Sequence, residues 1–159
     1  MSIPAFDTLH PLVVHFPIAL LVVAPMFIIL ALIWRKQMTP FLISALLLTV
    51  IGAAGAILAV ESGEAAYKSL EKKYDKSVYT AIDEHAELGD MTATTFGILS
   101  VIFLVLVLLP IVIKAMPPKT YIIILVVFLV LYAGGIVLLT MTGHEGARLV
   151  HEFGVTGHI

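Results

Sequence analysis

Four apolar runs, each close to the length of a bilayer crossing, constrain this chain of 159 residues more than any other feature. They lie at about 11–34, 41–60, 91–113 and 120–142. About 20 residues at ~1.5 Å each cover the hydrocarbon core, so every run is long enough to span it. Backbone groups in lipid find no water, which makes a helix the predicted form of each run. Composition agrees, with 60% of residues hydrophobic and only 13% charged. The expected fold is all-α: a single integral membrane domain, four helices in an up-down bundle.

The amino terminus lacks a basic start and a small-residue cleavage site, and its apolar run is too long for a signal peptide, so it reads as a retained first span. Absence of cysteine excludes disulfides, thiolate metal sites and covalently attached c-type haem. Arg35 and Lys36 join spans one and two, Lys114 and Lys119 join spans three and four, and neither loop has an acid. The positive-inside rule then puts both termini outside. All eleven acids and all six histidines fall on that outer side. Most non-membrane residues lie there too, so the density of inner cations is the firmer signal.

The outer segments are the loop 61–90 and the tail 143–159. In the loop, Ala65, Tyr67, Leu70, Tyr74 and Val78 recur at helical spacing among Lys68, Lys72, Lys73 and Lys76. That pattern predicts an amphipathic helix on the membrane surface or capping the bundle. Glu61, Glu64, Asp83, Glu84, Glu87 and Asp90 form an acidic rim whose ordinary reading is solvation. Glu61 and Glu64, at the end of an apolar span, could also accept protons or support a ligating histidine.

The histidines carry the chemical interest. Counting ~1.5 Å per residue from the inner ends puts His15 ~28 Å up, within the hydrocarbon edge, and both His10 and His144 ~36 Å up on spans one and four. His85 comes out at ~43 Å on the extension of span three, with His151 comparably high. A lone histidine at a helix end is ordinarily a polar group reaching water, and His158 reads as tail. His15, inside an apolar run, needs a partner, a backbone group of a neighbouring helix among the candidates. Several histidines from different spans at one mouth instead favour a bound group, because bundles hold haem or metal with residues from facing helices.

Haem suits this set better than a bare ion. Two histidines on separate helices suffice for a six-coordinate b-type haem, whereas structural zinc takes four grouped ligands. His10 and His15 stand ~140° apart around a helix and would chelate one ion poorly. Gly52, Ala53, Ala54, Gly55 and Ala56, with Ala133, Gly134 and Gly135, could admit a flat macrocycle or simply let helices pack closely. Met91 and Met141, near the mouth, are alternative ligands or filler. No phosphate loop, nucleophile elbow, zinc-protease helix or basic nucleic-acid patch is present, so no catalytic side chain is assigned.

The run His10-Pro11-Leu12-Val13-Val14-His15-Phe16-Pro17-Ile18-Ala19-Leu20, His85, and Gly143-His144-Glu145-Gly146-Ala147-Arg148-Leu149-Val150 together resemble the bacterial membrane-protein family catalogued as domain of unknown function 2231. The resemblance covers nearly the whole chain. It implies four spans, redox work beside Rieske or c-type cytochrome modules, and a b-type haem held by His10, His15, His85 and His144. In the tail this chain has His151 and Phe153 where the family often has tyrosine and then histidine, which shifts any role of the tail to His151.

The expectation is a membrane-embedded haem b protein with one or two haems, moving electrons at the outer face of a bacterial cytoplasmic membrane. Its partners would be an extracytoplasmic redox protein or larger respiratory-type complex, and a quinol. A zinc- or copper-binding protein using the same histidines and carboxylates, or a cofactor-free structural subunit, are the alternatives.

Overall fold

The computed structural model describes residues 10–68, 70 and 74–155. Its helices are α1 (His10–Val13), α2 (His15–Ile33), α3 (Met38–Lys68), α4 (Lys76–Val112) and α5 (Pro118–His151). A 3-10 turn at Arg35–Gln37 joins α2 to α3. Helices α2 to α5 pack in sequence, and α5 closes back on α2. This is an all-α four-helix membrane bundle, with four helices long and apolar enough to cross a bilayer.

Each helix buries one stripe and leaves its other faces apolar. Leu21, Ala24, Ile28 and Ala31 on α2 meet Leu42, Ala45 and Ala53 on α3, Phe96, Leu99 and Phe103 on α4, and Leu125, Phe128 and Tyr132 on α5. Phe103 and Phe128 stack with centroids 4.8 Å apart. The exposed sides carry Val101, Ile111, Val126 and Val130, as lipid-facing surfaces do.

The small-residue stripes serve this packing. A β-carbon at Gly52 would stand 2.8 Å from Leu21, at Gly55 3.2 Å from Pro17, and at Gly135 3.1 Å from Leu99. Side chains of neighbouring helices therefore fill the space that a macrocycle would need there, the close approach typical of small residues in membrane bundles.

Prolines shape the helices, and tyrosines repair them. Pro17 has no N–H for the carbonyl of Val13, and the hydrogen-bond ladder is interrupted at the junction of α1 and α2, where Val14 keeps helical dihedrals. Pro25 within α2 likewise leaves the carbonyl of Leu21 without a helical donor, and the Tyr132 hydroxyl of α5 donates to it at 3.0 Å. Pro110 within α4 does the same to Leu106, whose carbonyl accepts from Tyr121 at 3.1 Å.

The stretch 61–90, expected as a loop with its own surface helix, is mostly the continuation of α3 and α4. The helical spacing was real, but it belongs to three places. Ala65 and Tyr67 end α3, Leu70 and Tyr74 lie in the connection, and Val78 opens α4. Val78, Ala81 and Ile82 pack with Leu149 of α5 in a small second core, flanked by Leu70, Tyr74 and Phe153. Lys72 and Lys73 fall outside the described residues. The tail is likewise helical to His151, after which Gly154, in the left-handed conformation, turns the chain and the Val155 N–H reaches back to the Leu149 carbonyl at 2.9 Å.

Candidate functional site

At the end of the bundle where α1 begins and α5 finishes, His10 and His85 face each other. Their ring centroids are 6.4 Å apart and the rings are nearly perpendicular, at 77°. His10 opens α1, just before the interruption ahead of Pro17, and His85 lies on the third turn of α4.

Both imidazoles are seated in the same way on a neighbouring helix, His10 of α1 on α3 and His85 of α4 on α5. His10 Nδ1 donates to the carbonyl of Ala59 at 2.9 Å, and a β-carbon on Gly63, four residues further along α3, would lie 3.1 Å from the ring. His85 Nδ1 donates to the carbonyl of Thr142 at 3.1 Å, and a β-carbon on Gly146, again four residues along, would lie 2.9 Å from that ring. A carbonyl followed one turn later by glycine thus makes each seat: the carbonyl fixes the ring and the missing side chain leaves room for it. The two helical hairpins, α1–α3 and α4–α5, contribute one such unit each.

Further bonds stiffen the seats. Ser62, fully buried, donates to the Ala59 carbonyl at 2.9 Å, which leaves its oxygen to accept from His10 Nδ1 at 3.0 Å. The single hydroxyl proton of Thr142 is shared between the carbonyls of Leu138 within α5 and Leu88 across on α4, at 3.0 and 3.1 Å, and its oxygen then accepts from Thr92 at 2.7 Å.

This pattern fixes the tautomers. A carbonyl only accepts, so Nδ1 carries the proton in each ring, and in a neutral imidazole Nε2 then holds a free lone pair. Neither Nε2 has a hydrogen-bond partner among the described residues. Burial lowers the pKa of His10, an effect opposed by its bond to Ala59 and reinforced by the positive charge His85 would carry if protonated. His10 is thereby held neutral.

The other sequence candidates lie elsewhere. His144 and His151 are exposed on α5, and His15 is exposed at the start of α2. The ring that His10 meets is that of His85, while His144 is exposed on α5. Glu61 is exposed, Glu64 pairs with Lys68 at 3.4 Å, and Met91 and Met141 are half exposed. His158 is outside the described residues. Among the described residues no group of three or more His, Asp or Glu side chains is placed to hold a metal ion.

Ala59, Ser62, Gly63, Thr142 and Gly146 were not singled out from the sequence as parts of a site. Four of them act through backbone or through a missing side chain, which sequence chemistry does not advertise. The one available signal was the coincidence of Gly63 and Gly146 with helix ends of like position in the two hairpins.

An apolar four-helix bundle with two tethered histidines in ring contact at one end defines a multi-pass membrane protein. The chain belongs to the family described as predicted membrane protein (DUF2231), whose model matches residues 6–158. Neither a curated protein nor a solved structure matches it.

Proposed function

We propose that the protein is a b-type cytochrome, binding one haem between His10 and His85 and carrying electrons at this end of the bundle. The observation that carries the reading is the facing pair itself. A metal–nitrogen bond of about 2.0 Å, plus about 1.1 Å from ring atom to centroid on each side, asks for centroids about 6.2 Å apart. The rings stand at 6.4 Å. Ring nitrogens at that spacing are no closer than about 4.2 Å, beyond direct hydrogen bonding.

The tethers match what His10 and His85 would need to hold a haem iron. A backbone carbonyl on Nδ1–H orients the ring, selects the tautomer that exposes Nε2 and raises its basicity. Ser62 adds a second acceptor on the His10 side. A haem held there supplies one-electron chemistry. With two protein ligands brought together among the described residues, the site suits a group that would bring further nitrogen ligands of its own better than bare zinc or copper.

Arg35, Lys36, Lys114 and Lys119 all lie at the opposite end of the bundle, which supports a histidine end facing the exterior of a bacterial cytoplasmic membrane. An extracytoplasmic redox protein or a larger respiratory-type complex would then be the partner.

The test is a reduced-minus-oxidised visible spectrum of the purified, haem-supplied protein with a pyridine haemochrome assay. One haem per chain is expected, lost in His10→Ala and in His85→Ala but retained in His144→Ala. A featureless spectrum from folded protein would sink the proposal.

A further inference from the structure

Four cations gather at the end of the bundle remote from the histidines. Arg35 and Lys36 lie in the turn between α2 and α3, Lys114 in the connection that follows α4, and Lys119 in the first turn of α5, all of them exposed. Met38 and Met116, one beside each connection, pack against the same core, so the two connections close one end together.

Nothing in the chain nearby neutralises them. Residues 8–60 and 91–144 contain no aspartate or glutamate. Glu61, Asp90 and Glu145 are the first acids reached along α3, α4 and α5, roughly 35 Å away at ~1.5 Å per residue. That distance is about four screening lengths at physiological salt. None of the four cations has an ion pair among the described residues, whereas at the other end Lys68 pairs with Glu64 and Arg148 with Glu145 and Glu152. The positive-inside rule accounts for the side the cations occupy, not for the charge that balances them there.

The surroundings select an amphiphile. Ile33 and Trp34 directly precede Arg35, Val112 and Ile113 directly precede Lys114, and all four apolar side chains are exposed. The Trp34 ring stacks on Phe41 of α3 with centroids 6.0 Å apart, which fixes an indole where apolar surface meets cations, as at the head-group level of a bilayer. A soluble anion would meet the cations and gain nothing from these side chains. A zwitterionic lipid would bring an ammonium along with its phosphate. A phospholipid of net negative charge satisfies both surfaces, with phosphate on the cations and acyl chains on the apolar residues.

We infer that the turn at Trp34, Arg35 and Lys36 binds an acidic phospholipid, its phosphate on Arg35 and Lys36 and its acyl chains beside Ile33 and Trp34, within the positive field that Lys114 and Lys119 extend. Neither haem nor the direction in which the bundle faces enters into that binding.

Trp34 is the single tryptophan of the chain, so its fluorescence reports the lipid beside this turn. The experiment is quenching of that fluorescence in phosphatidylcholine bilayers holding, at equal mole fraction, either phosphatidylglycerol or phosphatidylcholine brominated high on the acyl chains. The brominated phosphatidylglycerol should associate at least about fivefold more strongly, the effect of one basic side chain close to anionic lipid. R35Q/K36Q should remove that preference, and K68Q/K76Q, at the other end, should leave it intact. In the unaltered protein about 1 M salt, with a screening length of about 3 Å, should remove most of it. Equal quenching by the two lipids, a preference that survives R35Q/K36Q or high salt, or its loss in K68Q/K76Q would overturn the inference. Displacement by inorganic phosphate at low ionic strength would do so too, since it would mark a site for free anions.

Discussion

Gly146 lies so close to His85 that a β-carbon there would stand 2.9 Å from ring carbon Cε1, a separation that real β-carbons essentially never show. The neighbouring atom belongs to an imidazole already tethered to Thr142, so the ring cannot retreat without losing that bond. Gly63 and His10 repeat the arrangement with slightly more room, at 3.1 Å.

The haem proposal therefore predicts that Gly146→Ala displaces His85 and lowers haem content several-fold, with Gly63→Ala acting in the same direction and less severely. Alanine is the better helix former by about 1 kcal/mol, so helix content should hold or rise while the site is lost. Haem per chain together with far-ultraviolet circular dichroism checks this. Loss of helicity in step with haem would mean that the glycines serve the fold alone.

The pair was only partly legible in the sequence. His10 and His85 both stand out as histidines beside apolar runs, and the four helices follow from run length. Their adjacency does not follow, because each height is counted from the far end of a helix and drifts by about a turn. Residues 61–90 were misassigned for a related reason. The acids mark the ends of the apolar runs, yet both helices continue through them, and Gly63, within α3, leaves room for the His10 ring. The tyrosine bonds to Leu21 and Leu106 were equally hidden, although Pro25 and Pro110 announced that two carbonyls needed donors.

Those tyrosines yield a second prediction. Tyr132→Phe strands the Leu21 carbonyl and should destabilise the bundle by about 1 kcal/mol, the scale of interhelical hydrogen bonds in membranes. Pro25→Ala restores an N–H that can donate to the same carbonyl, so the cost of Tyr132→Phe should shrink in that background. Tyr121 and Pro110 should behave alike. A double-mutant cycle from reversible unfolding in mixed micelles reads the coupling, and strictly additive effects would refute the repair.

A third prediction concerns pH. Burial lowers the pKa of His10 in the folded protein below its ordinary value of 6.5. The unfolded chain then binds the proton more readily, so the contribution of this group is undiminished above pH 6.5 and is lost progressively as pH falls below that value. Haem-free protein should accordingly melt lower at pH 5 than at pH 7.5. His10→Gln, which keeps a donor and cannot titrate, should flatten part of that slope; an unchanged slope would show that other groups control it.

The last prediction tests which way the bundle faces. The chain has no cysteine, so any single introduced thiol is a unique reporter. Asp75, at the N-terminus of α4, is exposed at the histidine end, and Lys36, in the turn between α2 and α3, is exposed at the other. In intact spheroplasts a membrane-impermeant maleimide should label Asp75→Cys and spare Lys36→Cys until the membrane is opened. Removing Lys36 takes one cation from its loop, so Gln37→Cys, also exposed, serves as the control that leaves the charge balance intact. Orientation is set by the cations of the short loops, so the result reports directly on Arg35, Lys36, Lys114 and Lys119. The reverse labelling pattern would put the histidine pair on the cytoplasmic side, and an extracytoplasmic electron partner could then no longer reach it.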